Sequence, residues 1–162
     1  GHIAQKVAKL AHAFEMNVVF YNHRPKTIKE NWPKQVSLDE LLKTSDVISL
    51  HVIQTPQTIN LINKITLAKM KSTAILLNTS RGKLVNESDV ADALNNDKLC
   101  ALATDVVSKE PIQENNPLLK AKNCYITPHI AWAPFETRER LLSITTSNLQ
   151  KYLSGSIVNS VN

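Results

Sequence analysis

The chain is organised around one stretch, Tyr125-Ile126-Thr127-Pro128-His129-Ile130-Ala131-Trp132. It begins as a short apolar run of β-forming residues, which predicts a buried strand. That strand should end at Thr127-Pro128, because proline has no N–H group to continue a ladder of backbone hydrogen bonds. His129 follows at the carboxyl end of the strand, where open α/β sheets bind their ligands. Its imidazole could pass protons to a bound molecule, the alternative being a histidine that only hydrogen-bonds within a loop.

Strands of this kind alternate with helical patterns along the rest of the chain. Apolar runs predict further strands over residues 17–21, 47–52, 74–78 and 99–106. Spacing and capping residues predict helices over 2–15, 37–42, 66–70, 86–95 and 135–153, the second with a Ser37/Glu40 capping box and the last with Gly155 as its cap. This alternation predicts an α/β fold with a doubly wound parallel sheet, whose strands all end at one edge.

Composition narrows the class of protein. The chain has 162 residues, of which 43% are hydrophobic and 20% charged, as expected for one globular domain. Lysines are scattered and aromatic residues make up only 5%, so the net charge of +5 suits an anionic cofactor or substrate better than nucleic acid. No apolar run has membrane-spanning length, and no signal peptide is recognisable. We expect Cys100 and Cys124 to be reduced core residues of a cytoplasmic protein, with no metal site.

Three chemically active side chains follow three different predicted strands. Arg81 comes after the strand at 74–78, Glu110 after the strand at 99–106, and His129 after the last strand. A planar guanidinium can donate two parallel hydrogen bonds to a carboxylate. An imidazole can exchange a proton with a hydroxyl or carbonyl oxygen, and a neighbouring carboxylate raises its pKa and selects its tautomer. The three groups fit a substrate with a carboxylate beside a carbonyl, although Arg81 and Glu110 could instead be ordinary surface charges.

The order and spacing of these motifs resemble the nucleotide-binding domain of the D-isomer-specific 2-hydroxyacid dehydrogenases. The resemblance covers nearly all of residues 1–162. It rests on Leu77-Asn78-Thr79-Ser80-Arg81-Gly82, on Asp105-Val106 leading to Glu110-Pro111, and on the stretch at 125–132. It implies a Rossmann-like domain of an oxidoreductase that transfers hydride between NAD(P)H and a small 2-keto acid. Trp132 is most similar to the glycerate dehydrogenase branch, which implies hydroxypyruvate or glyoxylate as substrate.

The resemblance also implies a role for each site residue. Arg81 would bind the substrate carboxylate, His129 would protonate the keto oxygen, and Glu110 would be the partner of that histidine. Asp105 would hold the nicotinamide carboxamide. The remaining cofactor contacts would come from residues spread along the chain: Gly1, His2, Ile3, Asn22, His23, Arg24, His51, Thr79 and His129 itself.

The chain departs from the family pattern at its amino-terminal end. The phosphate-binding fingerprint G-x-G-x-x-G is matched only by Gly1 at its second glycine and by Ala4 at its third. The first glycine, the first strand and the separate substrate domain are not in the chain. We therefore expect a fragment of a longer two-domain enzyme. The family also implies a homodimer that pairs through this domain.

The turn after the first predicted strand bears on the choice of cofactor. Members of the family that prefer NAD usually place an acidic residue there for the ribose hydroxyls. This chain has Asn22, His23 and Arg24, with Lys26 close behind. The missing acid removes charge repulsion against a 2′-phosphate, and Arg24 could pair with one. Both NADP and NAD remain open, and the residues favour NADP, the alternative being a basic surface turn.

Two other interpretations remain. Transcriptional corepressors of the C-terminal-binding type share this fold and a similar set of Arg, Glu and His residues, so a regulatory protein that senses NAD(P) is possible. An isolated domain without activity is the other.

Overall fold

The computed structural model describes residues 1–161, and Asn162 lies outside the described part. The chain divides into two compact units, Gly1–Pro128 and a second that begins at His129. The elements of the first unit are α1 (His2–Ala13), β1 (Val19–Phe20), β2 (Lys34–Gln35), α2 (Leu38–Thr44), β3 (Val47–Leu50), α3 (Lys64–Leu67), β4 (Ile75–Asn78), α4 (Glu87–Asn95), β5 (Ala101–Thr104) and β6 (Cys124–Ile126). The second unit contains α5 (Phe135–Leu153), with the boundaries that the sequence predicted.

A four-stranded parallel sheet, in the order β3-β4-β5-β6, forms the centre of the first unit. Its register aligns the carboxyl ends of neighbouring strands. Leu50 pairs with Asn78, Asn78 pairs with Thr104, and Thr104 pairs with Ile126. The turns that follow these strands therefore start side by side at one edge of the sheet. This confirms the parallel α/β class and the common edge that the alternation predicted.

The strands β1 and β2 form a separate two-stranded parallel sheet, with Val19 opposite Lys34 and Phe20 opposite Gln35. The sequence predicted one sheet, whereas the described strands form two. Within residues 1–161, no strand lies between the β1–β2 sheet and β3 and pairs with both, so no backbone ladder joins the two sheets. The prediction also missed β2, because two polar residues carry no apolar alternation.

The hydrophobic core lies around the four-stranded sheet. Strand β4 buries Leu76 completely, and α4 buries residues at helical spacing, among them Val90 and Leu94. Burying one such aliphatic side chain stabilises the fold by about 1.5–3 kcal/mol. Helix α1 behaves differently: it forms where predicted, but it buries no residue, and Leu10 on its predicted apolar stripe is 63% exposed.

Several local predictions need correction. The capping box at α2 is half formed, because the Ser37 side chain accepts from the Glu40 N–H while the Glu40 carboxylate pairs with Lys34 instead. The helix predicted at 66–70 begins earlier, at Lys64, because Asn63 caps it. Cys100 is free but exposed, so its placement in the core was wrong. None of the helices within residues 1–161 has the length and apolarity to cross a membrane.

Candidate active site

The turn that carries Arg81 is tied together by a buried asparagine. Asn78 ends β4 and is only 1% exposed. Its side-chain amide donates to the Arg81 carbonyl at 3.0 Å, and its side-chain oxygen accepts from the Ser80 N–H at 3.1 Å. The Asn78 side chain thus provides hydrogen-bond partners for two backbone groups of the turn, at the point where the chain leaves the sheet. Arg81 itself is exposed, with one guanidinium nitrogen donating to the Ser80 carbonyl.

Gly82 brings the turn after β4 into direct contact with the loop after β5. A Cβ atom added to Gly82 would lie 1.9 Å from the Val107 carbonyl carbon and 2.5 Å from the Ser108 nitrogen. Only a residue without a side chain permits this approach of two backbones. Glu110 belongs to the same loop, is exposed, and accepts a 3.3 Å hydrogen bond from the Val107 N–H. The structure therefore joins the segments that carry Arg81 and Glu110.

Asp105 lies at the centre of the same edge and is 4% exposed. Its N–H donates to the Asn78 carbonyl at 2.9 Å, which continues the ladder between β4 and β5. The Thr127 hydroxyl donates to one of its carboxylate oxygens at 2.5 Å. Asp105 is therefore bonded through its backbone to the last residue of β4 and through its carboxylate to the residue that follows β6. The sequence placed Asp105 at the end of its strand but offered no reason to pair it with Thr127.

His129 is the first residue of the second unit. Its backbone has φ +56°, in the left-handed region, and its side chain is exposed. This conformation costs a residue other than glycine about 1–2 kcal/mol, and such residues cluster at functional sites. The Trp132 indole N–H donates to the His129 carbonyl at 2.8 Å, which closes the turn. Sequence analysis used Trp132 only as evidence of resemblance to the family and did not predict this contact.

Among the proposed cofactor contacts, His51 has the most distinct surroundings. It follows β3, and its Nε2 lies 3.0 Å from the Ser49 hydroxyl. Burial lowers its pKa below the ordinary value. His51 is therefore neutral at pH 7 and can either donate or accept a hydrogen bond. Thr79 lies in the exposed turn directly after β4.

The turn after β1 carries the residues that bear on cofactor choice. The Asn22 side chain donates to the Arg24 carbonyl at 2.7 Å. Gln35 on β2 donates to the carbonyls of Asn22 and Arg24, both at 3.1 Å, and accepts from the Lys26 N–H at 2.9 Å. His23 and Arg24 are exposed. This turn belongs to the two-stranded sheet, and the contribution of Gln35 was not predicted.

The amino-terminal end of α1 has the features of an anion-binding helix terminus. No side chain among residues 1–161 caps the helix, and its first turn contains no acidic residue. Gly1, His2 and Ile3 are exposed, and a Cβ added to Gly1 would meet no atom within 4 Å. Unpaired N–H groups at such a helix end favour phosphate. Within residues 1–161, no group of three or more His, Cys, Asp or Glu side chains could hold a metal ion.

Comparison with known proteins identifies the family of this chain. Residues 1–131 match the family model described as "D-isomer specific 2-hydroxyacid dehydrogenase, NAD binding domain". A hydroxypyruvate reductase from Blautia hydrogenotrophica is 51% identical over 164 aligned positions, which cover all of this chain and 51% of that protein. A glyoxylate reductase/hydroxypyruvate reductase from Homo sapiens is 39% identical, covering 96% of this chain and 48% of that protein.

A solved structure, an acyclic imino acid reductase in complex with NADPH and D-Arg, is 32% identical with a TM-score of 0.89 and covers 100% of this chain and 51% of its own. The chain thus spans about half the length of the curated relatives it matches. The family model covers most of the chain, and the parallel α/β fold agrees with it. This chain therefore belongs to the D-isomer-specific 2-hydroxyacid dehydrogenase family and contains its NAD-binding domain.

Proposed function

We propose that this chain is the nucleotide-binding part of a two-domain enzyme that reduces a small 2-keto acid, hydroxypyruvate or glyoxylate, with NAD(P)H. The observation that carries the proposal is the backbone contact at Gly82, which joins the segments of Arg81 and Glu110 at the carboxyl edge of the sheet. The relatives named hydroxypyruvate and glyoxylate reductase support the substrate class. Because the chain spans about half of those relatives, a second domain would complete the substrate pocket.

The residues of this chain would divide the work of the reaction. The bound nicotinamide supplies the hydride. Arg81 would bind the substrate carboxylate through paired hydrogen bonds and polarise the neighbouring keto oxygen. His129 would donate a proton to that oxygen, so the product leaves as a hydroxy acid. Glu110 would stabilise the protonated imidazole and select its tautomer.

The chain also offers suitable groups for the cofactor. The uncapped end of α1 suits the pyrophosphate, because its N–H groups point outward and no carboxylate opposes an anion in its first turn. The buried Asp105 carboxylate would accept from the carboxamide of the nicotinamide, while Thr127 holds one of its oxygens. Neutral His51 and the exposed Thr79 would contact the ring end of the cofactor.

We propose NADP as the preferred cofactor, with NAD as the second. Arg24 is exposed in a turn, residues 22–26, that contains no carboxylate. A guanidinium there would pair with a 2′-phosphate, and no negative charge in the turn would oppose it. The relative solved with NADPH supports this preference, while the NAD-binding family model leaves NAD in use.

We also propose a homodimer and a cytoplasmic location. The family to which the chain belongs implies this dimer, paired through the nucleotide-binding domain. Light scattering of the complete protein would report the dimer mass, and a monomer would contradict the proposal.

The deciding experiment is oxidation of NADPH and NADH by the complete protein with hydroxypyruvate, glyoxylate and pyruvate. We expect turnover with one keto acid. The His129→Ala variant should lose about 10²–10⁴-fold in kcat while its cofactor Kd changes by less than about twofold, because the proton donor is lost and the other cofactor contacts remain. His12→Ala is the matched control, since this histidine stacks on Trp32 at the surface of the first unit. Tight cofactor binding without any turnover would favour the regulatory interpretation.

A further inference from the structure

Glu87 ties down the loop that carries Glu110. It is the first residue of α4, and its carboxylate accepts three hydrogen bonds from that loop. One oxygen accepts from the Ser108 N–H at 2.7 Å. The other accepts from the Ser108 hydroxyl at 2.7 Å and from the Asn116 side-chain amide at 3.1 Å. Hydrogen bonds to an ionised acceptor are about twice as strong as those between neutral groups, so this is a firm attachment.

The attachment reaches both ends of the loop. Ser108 lies near its start, and Asn116 lies near its end, where it is 9% exposed and caps the next helical turn through Leu118. Glu110 lies between them and accepts from the Val107 N–H. A single carboxylate therefore closes the loop around the residue that the proposed reaction uses.

The same loop is also in close contact with Gly82. The Val107–Ser108 backbone lies against Gly82 so closely that no Cβ fits between them. Glu87 then holds Ser108 by both its N–H and its hydroxyl. These two contacts together leave the loop little freedom to move away from the turn that carries Arg81.

A second carboxylate in the same helical turn shows that these contacts are particular to Glu87. Asp89 also lies in the first turn of α4, where either acid interacts favourably with the helix dipole. Asp89, however, accepts at 2.8 Å from the Lys64 N–H at the start of α3 and, among the described residues, makes no hydrogen bond to the loop. A role in helix stability alone would not require Glu87 to face Ser108 and Asn116.

We propose that Glu87 is a positioning residue, which keeps Glu110 in register with the Arg81 turn during the proposed reduction. The inference rests on the proposed function, because it assigns Glu87 to the same reaction. Glu87 would touch neither substrate nor cofactor in this role. It acts through Glu110, the proposed partner of the catalytic imidazole.

The test compares Glu87→Gln, Glu110→Gln, the double variant and the control Asp89→Asn in the complete protein. Glutamine keeps the size of Glu87 but turns an amide donor toward groups that are themselves donors. We expect kcat to fall about tenfold or more, with the KM for the cofactor unchanged, because bonds to a charged acceptor are lost. The acidic limb of the pH profile of kcat/KM should shift in the same direction in both single variants. The double variant should be no slower than Glu110→Gln alone.

Hydrogen exchange gives a readout that does not depend on turnover. Amides of residues 107–116 should exchange faster in Glu87→Gln and at the wild-type rate in Asp89→Asn. Two outcomes with an active wild type overturn this inference alone. In the first, Glu87→Gln keeps the wild-type pH profile. In the second, the effects of Glu87→Gln and Glu110→Gln on kcat simply add. Unchanged exchange in the loop does the same. A wild type inactive with every keto acid overturns the proposed function, and the positioning role falls with it.

Discussion

Two turns of this protein have the same chemical design in different surroundings. The turn after β4 and the turn after β1 each begin with an asparagine whose side-chain amide donates to the carbonyl of a following arginine, at 3.0 Å for Asn78 and Arg81 and at 2.7 Å for Asn22 and Arg24. Asn78 is 1% exposed and lies at the end of a four-stranded sheet. Asn22 is partly exposed, in a turn whose other side-chain contacts come from Gln35.

The difference indicates how each arginine can be used. The Arg81 turn continues from the core, and Gly82 fits it against another backbone without space for a methyl group. Such a turn fixes the backbone from which the Arg81 side chain extends, as binding of a reacting carboxylate requires. The Arg24 turn is held by hydrogen bonds at the surface, so its residues can be exchanged at little cost in stability. A selector between NADP and NAD suits such a place better than a group that must meet reacting atoms.

The strongest way to break this contrast is Gly82→Ala. The new Cβ would overlap the Val107 carbonyl, so one of the two backbones must move. We expect the free energy of unfolding to fall by about 3 kcal/mol and kcat/KM to fall at least about 100-fold, since a small misplacement near the chemistry has that effect. Chemical denaturation and steady-state kinetics measure the two quantities.

Gly155→Ala is the control for this prediction. Gly155 has φ +83° but nothing within 4 Å of its added Cβ, so it tests backbone strain without overlap. It should cost about 1 kcal/mol and leave kcat/KM unchanged. Equal effects of the two substitutions would show that the close approach at Gly82 has no special role.

Replacing each asparagine by alanine compares the two turns directly. Asn78→Ala removes two hydrogen bonds from a buried site and leaves the Ser80 N–H and the Arg81 carbonyl without those partners. We expect a loss of about 2–4 kcal/mol in the free energy of unfolding. Asn22→Ala removes one bond at an exposed site and should cost about 0.5–1 kcal/mol. Urea denaturation of both variants gives the comparison, and similar losses would contradict the difference between the turns.

Sequence analysis predicted the first of these turns well. Apolar runs at β4, β5 and β6 are strong signals, and parallel strands of similar length end at a common edge. Arg81, Glu110 and Asp105 could therefore be placed there before the structure was known. Asn78 lay inside a recognised motif, yet its role as the tie of the turn depends on burial, which periodicity does not report.

The second turn was predicted less completely because its partners carry no pattern. Strand β2 has only Lys34 and Gln35, and the alternation rule needs a longer run. The contacts of Glu87 come from Ser108 and Asn116, which are 21 and 29 residues away in the chain. Cys100 was placed in the core by its apolar neighbours in sequence, but its side chain lies on the exposed side of the fold. Such long-range contacts follow from packing rather than from local composition.

Arg24→Ala sharpens the functional side of the contrast. Removing the guanidinium should raise the Kd for NADPH about tenfold, because a charge-assisted pair with the 2′-phosphate is lost. The Kd for NADH should change by less than about twofold. Fluorescence titration of both cofactors measures the two constants. Lys29→Ala is the control, since it removes an exposed positive charge outside the turn. A Kd that rises equally for both cofactors would remove the case for NADP.

The smallest expected effect comes from Gln35→Ala, which changes no charge. Gln35 binds the Arg24 turn through three hydrogen bonds, two given and one accepted. Its loss should raise the Kd for NADPH about threefold by loosening the turn, at a cost of about 1 kcal/mol or less in stability, because two of these bonds are exposed to water and the third is only part-buried. Lys34→Ala is the control. Lys34 lies beside Gln35 on β2, and its substitution removes only a surface ion pair with Glu40 of α2.

Combining Gln35→Ala with Arg24→Ala then separates two explanations. If Gln35 acts by holding Arg24 in place, the double variant binds NADPH no more weakly than Arg24→Ala alone, since there is no guanidinium left to hold. If the two effects on NADPH binding add, Gln35 contributes to cofactor binding through a contact of its own. The first result would show that the β1 turn positions its arginine as the β4 turn does, but more weakly, because one glutamine rather than a buried core holds it.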